Sequence, residues 1–450
     1  MNSRDPRKKL IELGAPSLAD ALIGLCSRND DAAALVDRLV STPKENQKRF
    51  KAKMAGLKRS RRFIDWREVS DFARVLEALL ADLRAGVDDP RTGMELVASF
   101  FECDNSTFER CDDSNGIVSS VFSFDARDLF VYYAAQFEDK DWISELLLKL
   151  YERDDYATRE VLLDAASEFL PNESLRRLAG QLWQRAENEE PASRTARHWL
   201  RGVESLARQL GDAALFEKAS LASWEETPIS VCLMIAQVHF ENGGAGKALA
   251  WLERMPQTNP HYNDERDSLL LNVYRQLGND EEAAATAWRI FRNHRSGGNL
   301  DVLLEVIGED NRSRIIEEQA REIQSDGRLH YSDAAFLLEM GRAGDAETYI
   351  LDRADQLDGD LYTTLLSLGK SLEATERWLA TVAIYRALLD SILRRALAKY
   401  YHHGVRYLKK LDALAPEVED WRNLLPHEAY KNGLFEAHGR KKSFWSKYGS

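Results

Sequence analysis

Residues 243–252, Gly-Gly-Ala-Gly-Lys-Ala-Leu-Ala-Trp-Leu, carry the pattern on which the fold turns: Gly243, then Ala248, then Leu252 four positions further on. The same Gly-x4-Ala-x3-apolar spacing recurs at Gly278/Ala283/Ala287, Gly341/Ala346/Ile350 and Gly369/Ala374/Trp378. A glycine at the end of an apolar helical run can take the left-handed conformation that stops a helix. A second helix starting within two residues must then fold back along the first. The small Ala lets the two helices approach, and the residue four positions later fills the groove between them. This spacing predicts antiparallel helical hairpins stacked side by side.

Working outward, nearly every segment has helical period and none alternates as a strand over six or more residues, so the chain is expected to be all-α. The first two glycines lie 35 residues apart, close to the tetratricopeptide period, although the next intervals are 63 and 28. The expected architecture is a tetratricopeptide-like α-solenoid with an N-terminal helical module. Hairpins without repeat ancestry are the alternative. The polar stretch 187–194, Glu-Asn-Glu-Glu-Pro-Ala-Ser-Arg, suggests a division into a 1–190 module and a 191–450 repeat region, or is an inter-helix loop. Upstream, Leu18, Leu22, Leu25, Leu35 and Leu39 mark one or two short helices. Asp65 followed by Glu68 reads as a capping box opening a long helix that ends at Gly86.

A chain of 450 residues with 44% apolar content exceeds what one compact core usually serves. The first residues are charged and lead into no signal-like apolar core, and no run approaches the roughly 20 apolar residues of a membrane helix. The four cysteines, Cys26, Cys103, Cys111 and Cys232, are too few to staple the chain. A cytoplasmic protein with no membrane partner is expected.

Net charge is −13, which argues against a dedicated nucleic-acid binder. The segment 44–62 runs against that balance. It holds Lys44, Lys48, Arg49, Lys51, Lys53, Lys58, Arg59, Arg61 and Arg62 against the single acid Glu45. These cations could pair with the chain's own acids, meet an acidic protein or the anionic leaflet of a membrane, or neutralise phosphates.

Phosphate loops, nucleophile elbows, zinc-protease helices and Cys-x-x-Cys pairs are absent from the sequence. No catalytic residue, cofactor or metal is assigned. The most unusual polar cluster is Glu109-Arg110-Cys111-Asp112-Asp113-Ser114-Asn115-Gly116. As a calcium loop it would put Cys111, Asp113 and Asn115 in ligand positions, but a first ligand should be a carboxylate and the twelfth position is Phe122. As a turn it would let Asp112, Asp113 and Asn115 cap the helix beginning near Ile117. The adjacent His402 and His403 point about 100° apart on a helix, which favours packing over shared metal ligation. In the tail, Phe444 and Trp445 suit either a cap on the last hairpin or a partner-binding peptide.

Arg61 to Trp66, Glu109 to Ser114, Ile384 to Leu389 with Tyr401 to Leu408, and Lys442 to Trp445 together resemble an uncharacterised bacterial helical-repeat family. Its C-terminal part is similar to helical regions that accompany SWIM zinc-finger domains. The zinc-binding pattern of those domains is missing from this chain. The function expected is a scaffold for protein–protein interaction without catalysis. The alternatives are a nucleic-acid-associated factor using 44–62, and a metal-dependent protein or enzyme centred on Asp112 and Asp113.

Overall fold

The structure is a computed structural model that describes residues 6–256 and 262–449. Among these residues the regular structure is helical, with one isolated parallel bridge joining Ile64 to Cys111. The first compact unit ends at Met255 and the second begins at Pro256.

The first unit opens with α1 (Pro6–Cys26), α2 (Asp30–Val40), α3 (Pro43–Arg59) and α4 (Val69–Gly86). α5 (Pro90–Phe101) and the short α6 (Asp104–Phe108) and α7 (Ile117–Ser120) follow. Next come α8 (Arg127–Gln136), α9 (Lys140–Tyr151), α10 (Glu160–Asp164) and α11 (Asn172–Glu187). α12 (Arg194–Leu210), α13 (Ala213–Ala222), α14 (Ile229–Glu241) and α15 (Ala245–Glu253) complete the unit as consecutive hairpins. The polar stretch 187–194 is the loop between α11 and α12, which pack on each other within this unit.

In the second unit α16 (Asn263–Leu277) pairs with α17 (Asp280–Asn293). α18 (Gly297–Ile307), α19 (Arg312–Ser325), α20 (Tyr331–Glu339) and α21 (Ala343–Leu351) come next. α22 (Tyr362–Ala374), α23 (Trp378–Arg394) and α24 (Tyr401–Leu414) pack in sequence, and α25 (His427–His438) and α26 (Lys442–Gly449) close the chain. Each unit thus consists of helices packed pairwise in chain order, the arrangement of an α-solenoid.

One turn explains the pairing. Gly211, Gly243, Gly278 and Gly341 have φ between 66° and 78°. The amide after each of them donates to the carbonyl five residues back, as does that of Arg377, at 2.8–3.0 Å: Asp212 to Ala207, Gly244 to His239, Asn279 to Tyr274, Arg342 to Leu337 and Arg377 to Leu372. This is the Schellman closure, which satisfies carbonyls left open at the helix end. The fifth residue after the turn begins the next ladder and is buried in every case: Phe216, Ala248, Ala283, Ala346 and Thr381. Four residues further on, Ser220, Leu252, Ala287, Ile350 and Tyr385 are buried too.

Two expectations change here. Gly369 is not a turn: it lies inside α22, where a β-carbon would sit 3.1 Å from Ile384 Cγ2, so close helix packing accounts for it. The reversal comes at Glu376, which adopts φ 57°. Gly308, with φ 96°, supplies a further break between α18 and α19, so the breaks at 211, 243, 278, 308, 341 and 376 recur every 30 to 35 residues. The second correction concerns helix capping. Glu68 occupies the position before α4 without a side-chain cap bond, while Asp65 Oδ1 accepts the Arg67 amide in a turn. The capping box belongs instead to Thr42 and Glu45 at the start of α3.

Leu25, Leu35 and Leu39 are each 40% exposed or more, and α1 is broken at Gly14, so the N-terminal pair is lightly packed. At the other end, Phe444 is fully buried and meets the Tyr401 ring edge-on, docking α26 against α24. Among the described residues no helix is long and apolar enough to cross a membrane.

A non-glycine residue in the left-handed region costs about 1 kcal/mol. Replacing Glu376→Gly is therefore expected to raise stability by up to about 1 kcal/mol, and Gly243→Ala to lower it by a similar amount. Urea denaturation of both variants checks the pair.

Candidate partner-binding surfaces

The cations of 44–62 divide into two groups once α3 is folded. Its inner face buries Asn46, Phe50 and Met54. On its flank, Arg49 (3.5 Å) and Lys53 (2.9 Å) converge with Arg38 of α2 (3.0 Å) on Asp82 of α4, a carboxylate only 1% exposed. A buried carboxylate needs such partners to remain ionised. Arg49 and Lys53 are thus committed to holding α2, α3 and α4 together. Lys58 lies 3.4 Å from Ser99 Oγ and 3.9 Å from Glu102, Arg59 donates to the Ala55 carbonyl, and Arg62 pairs with Glu68. Lys44, Lys48, Lys51 and Arg61 are exposed and make no ion pair among the described residues. Positions 44, 48, 51 and 59 follow one outward stripe of the helix.

The 109–116 cluster is brought beside the end of this segment. Ile64 donates to the Arg110 carbonyl (2.8 Å) and accepts from the Asp112 amide (3.0 Å), while Arg110 Nη1 reaches Ser60 Oγ at 3.3 Å. The two oxygens of Asp113 accept the Val118 and Ser119 amides, both at 2.8 Å. Asn115 Oδ1 accepts from Ile117 (3.2 Å), Asp112 Oδ1 from Ser114 (3.3 Å), and Gly116 turns the chain at φ 72°. Asp113 and Asn115 thus satisfy the open amides at the start of α7, whereas Asp112 holds the preceding turn at Ser114 instead of capping the helix. Burial pushes the neighbouring Cys103 and Cys111 thiols up to about 11, so both carry their protons near neutral pH. Among the described residues no group of three or more His, Cys, Asp or Glu side chains is placed to hold a metal ion. Asp113→Asn is expected to cost about 1–2 kcal/mol, because an amide accepts with one oxygen where the carboxylate uses two. Chemical denaturation measures it.

Beneath the cluster Asp104 and Arg159 form a buried bidentate pair, 2.8 Å on each arm, with Thr158 Oγ1 donating to the same carboxylate at 3.0 Å. It ties α6 to the start of α10.

A third surface escaped the sequence reading. α10, α12, α13 and α14 enclose an open groove of about 720 Å³ within the first unit. Arg194, Arg197, Arg201 and Arg208 line it from one face of α12, while the opposite face buries Leu200, Val203 and Leu206. Their spacing of three, four and seven was the available signal. The guanidiniums are positioned individually. Arg197 lies 5.1 Å from the centroid of the Trp224 ring, Arg208 is 4.6 Å from that of Phe216, and Arg201 is 3.4 Å from Glu160. Trp224 and Met234 add exposed apolar surface, each 39% accessible.

Three carboxylates also line the groove. Asp164 accepts the Ser205 hydroxyl (2.5 Å) and Glu204 that of Ser220 (2.6 Å). Burial raises the pKa of both Glu160 and Glu204, more than the neighbouring arginines lower it. Four guanidiniums against three carboxylates make the groove cationic, and it becomes more so when Glu160 and Glu204 take up protons, which their burial favours. A raised carboxyl pKa favours the folded state at low pH, and that contribution fades as pH rises through the folded value. Glu204→Gln is thus expected to raise the denaturation midpoint at pH 7 and to change it little near pH 4. Melting curves at the two pH values test the sign.

The architecture and these surfaces define the class: an all-α protein of paired helices that presents cationic faces. The chain belongs to a family of unknown function, DUF6880, which it matches over residues 6–447. No curated protein and no solved structure matches it.

Proposed function

We propose that the protein is a tetratricopeptide-like scaffold that receives an acidic segment of a protein partner in the α12–α14 groove, without catalysis of its own. The observation that carries this reading is the row of four arginines on one face of α12, two of them stacked on aromatic rings beside exposed Trp224 and Met234. Guanidiniums held against aromatic rings are pre-organised to meet carboxylates, and the apolar neighbours offer area that excludes water around them. In an acidic chain, a cationic groove favours acidic partners and speeds their encounter. We also propose, from the resemblance carried by Arg61 to Trp66, Glu109 to Ser114 and Lys442 to Trp445, that this is a cytoplasmic bacterial protein whose C-terminal part is similar to SWIM-associated helical regions.

Affinity purification from native lysate, with and without nuclease, tests this when the wild type is compared with Arg197→Glu/Arg201→Glu. Partners are expected to survive nuclease and to bind the double variant roughly tenfold or more weakly. Partners lost with nuclease, or retained by the variant, would count against the groove.

A second reading rests on α3. Lys44, Lys48, Lys51 and Arg61 stand exposed without ion pairs among the described residues, and Phe63 (61%) and Trp66 (55%) are exposed just beyond them. Arg67 lies over the Trp66 ring, 5.0 Å from its centroid, and cations beside exposed aromatic rings suit single-stranded nucleic acid. That reading requires affinity for an oligonucleotide to fall steeply with salt, and the slope to flatten in Lys48→Glu/Lys51→Glu.

A further inference from the structure

A second cavity, in the other unit, differs in character from the groove. α22, α23 and α24 and the turns joining them surround about 460 Å³, a volume suited to a small molecule. Its apolar floor includes Leu366, Leu388 and Ile392. One wall is a row on α24 and the turn before it, where Tyr400, His403 and Tyr407 follow one another with ring centroids 6.3 and 6.5 Å apart. Tyr362 stands at the rim of the opposite side, 65% exposed.

The loop that closes the cavity is held in place. A β-carbon at Gly359 would collide with the Ala387 carbonyl, so only glycine lets the loop lie this close to α23. Next to it, Asp360 accepts the Ser391 hydroxyl and pairs with Arg395 at 2.8 Å. Arg395 is thereby neutralised by the loop's own carboxylate. Arg406 is different: it makes no ion pair with a carboxylate among the described residues, and its Nη2 donates to His403 Nδ1 at 2.9 Å. A guanidinium can only donate, so Nδ1 carries no proton and the proton of the neutral ring is on Nε2. Burial, His402 and Arg406 all lower the His403 pKa, in agreement with a neutral ring. The cavity therefore combines flat aromatic walls, an uncompensated guanidinium and an imidazole N–H donor.

We infer that this cavity is a binding site for a small planar ligand bearing one anionic group, a carboxylate or a phosphate ester, with the ring among Tyr362, Tyr400 and Tyr407 and the anion on Arg406. The apolar floor and tyrosines supply the area, and Arg406 supplies the selection for charge. This site is independent of the α12–α14 groove and of the scaffold reading.

Ligand-observed NMR on the full chain tests it with three probes: indole-3-carboxylate, phenyl phosphate and the neutral indole-3-carboxamide. At least one anion is expected to bind, with the carboxamide about tenfold weaker or worse, as loss of a charge-assisted contact implies. Which anion binds distinguishes carboxylate from phosphate. Arg406→Gln, at an exposed position, should abolish the preference for charge with an unchanged melting temperature, and Tyr400→Ala should weaken whichever probe binds. Binding of neither anion, equal binding of the carboxamide, or an unaltered preference in Arg406→Gln would overturn the proposal.

Discussion

Each helix of this protein must end, reverse and pack on its predecessor within a few residues, and the left-handed turn meets that constraint. At Gly211, Gly243, Gly278, Gly341 and Glu376 the same pair of backbone bonds closes one helix and aims the next. The geometry sends the fifth and ninth residues after the turn into the interior. On α12 the side away from this interior carries a line of arginines, whereas α23 is buried on nearly every side.

The distribution of charge follows from burial rather than from local composition. Asp82 and Asp104 are taken out of water, so each must be matched: the first by Arg38, Arg49 and Lys53, the second by Arg159. Removing one member of such a set leaves a charge without compensation, which is worth more than an exposed ion pair. These cations hold helices together. The cations proposed for recognition are those whose partners are weak, neutral or absent: Arg197 and Arg208 on aromatic rings, Lys48 and Lys51 in solvent, and Arg406 on a neutral histidine.

The hairpin grammar was legible because glycine at a helix end and a small residue five positions later are local features. Gly369 misled because glycine also serves close packing, and Glu376 was invisible because nothing in its side chain announces a left-handed backbone. The turn-capping role of Asp113 and Asn115 could be read from spacing alone, since their partners lie within six residues. The fate of the basic segment could not. Asp82 lies 29 residues from Lys53 and looks like any other acid of a helix until folding buries it. The α12 arginines were present at helical spacing, but their surroundings depend on Glu160 of α10, Phe216 of α13 and Trp224 just after it.

In the proposed function the α12–α14 groove holds an acidic protein segment. Its most direct test is a photo-crosslinking residue placed at position 224 in living cells, with position 48 as the comparison. The account predicts a nuclease-resistant protein adduct at 224 whose crosslinked peptide is rich in Asp and Glu. No adduct at 224, together with nuclease-sensitive adducts at 48, would contradict it.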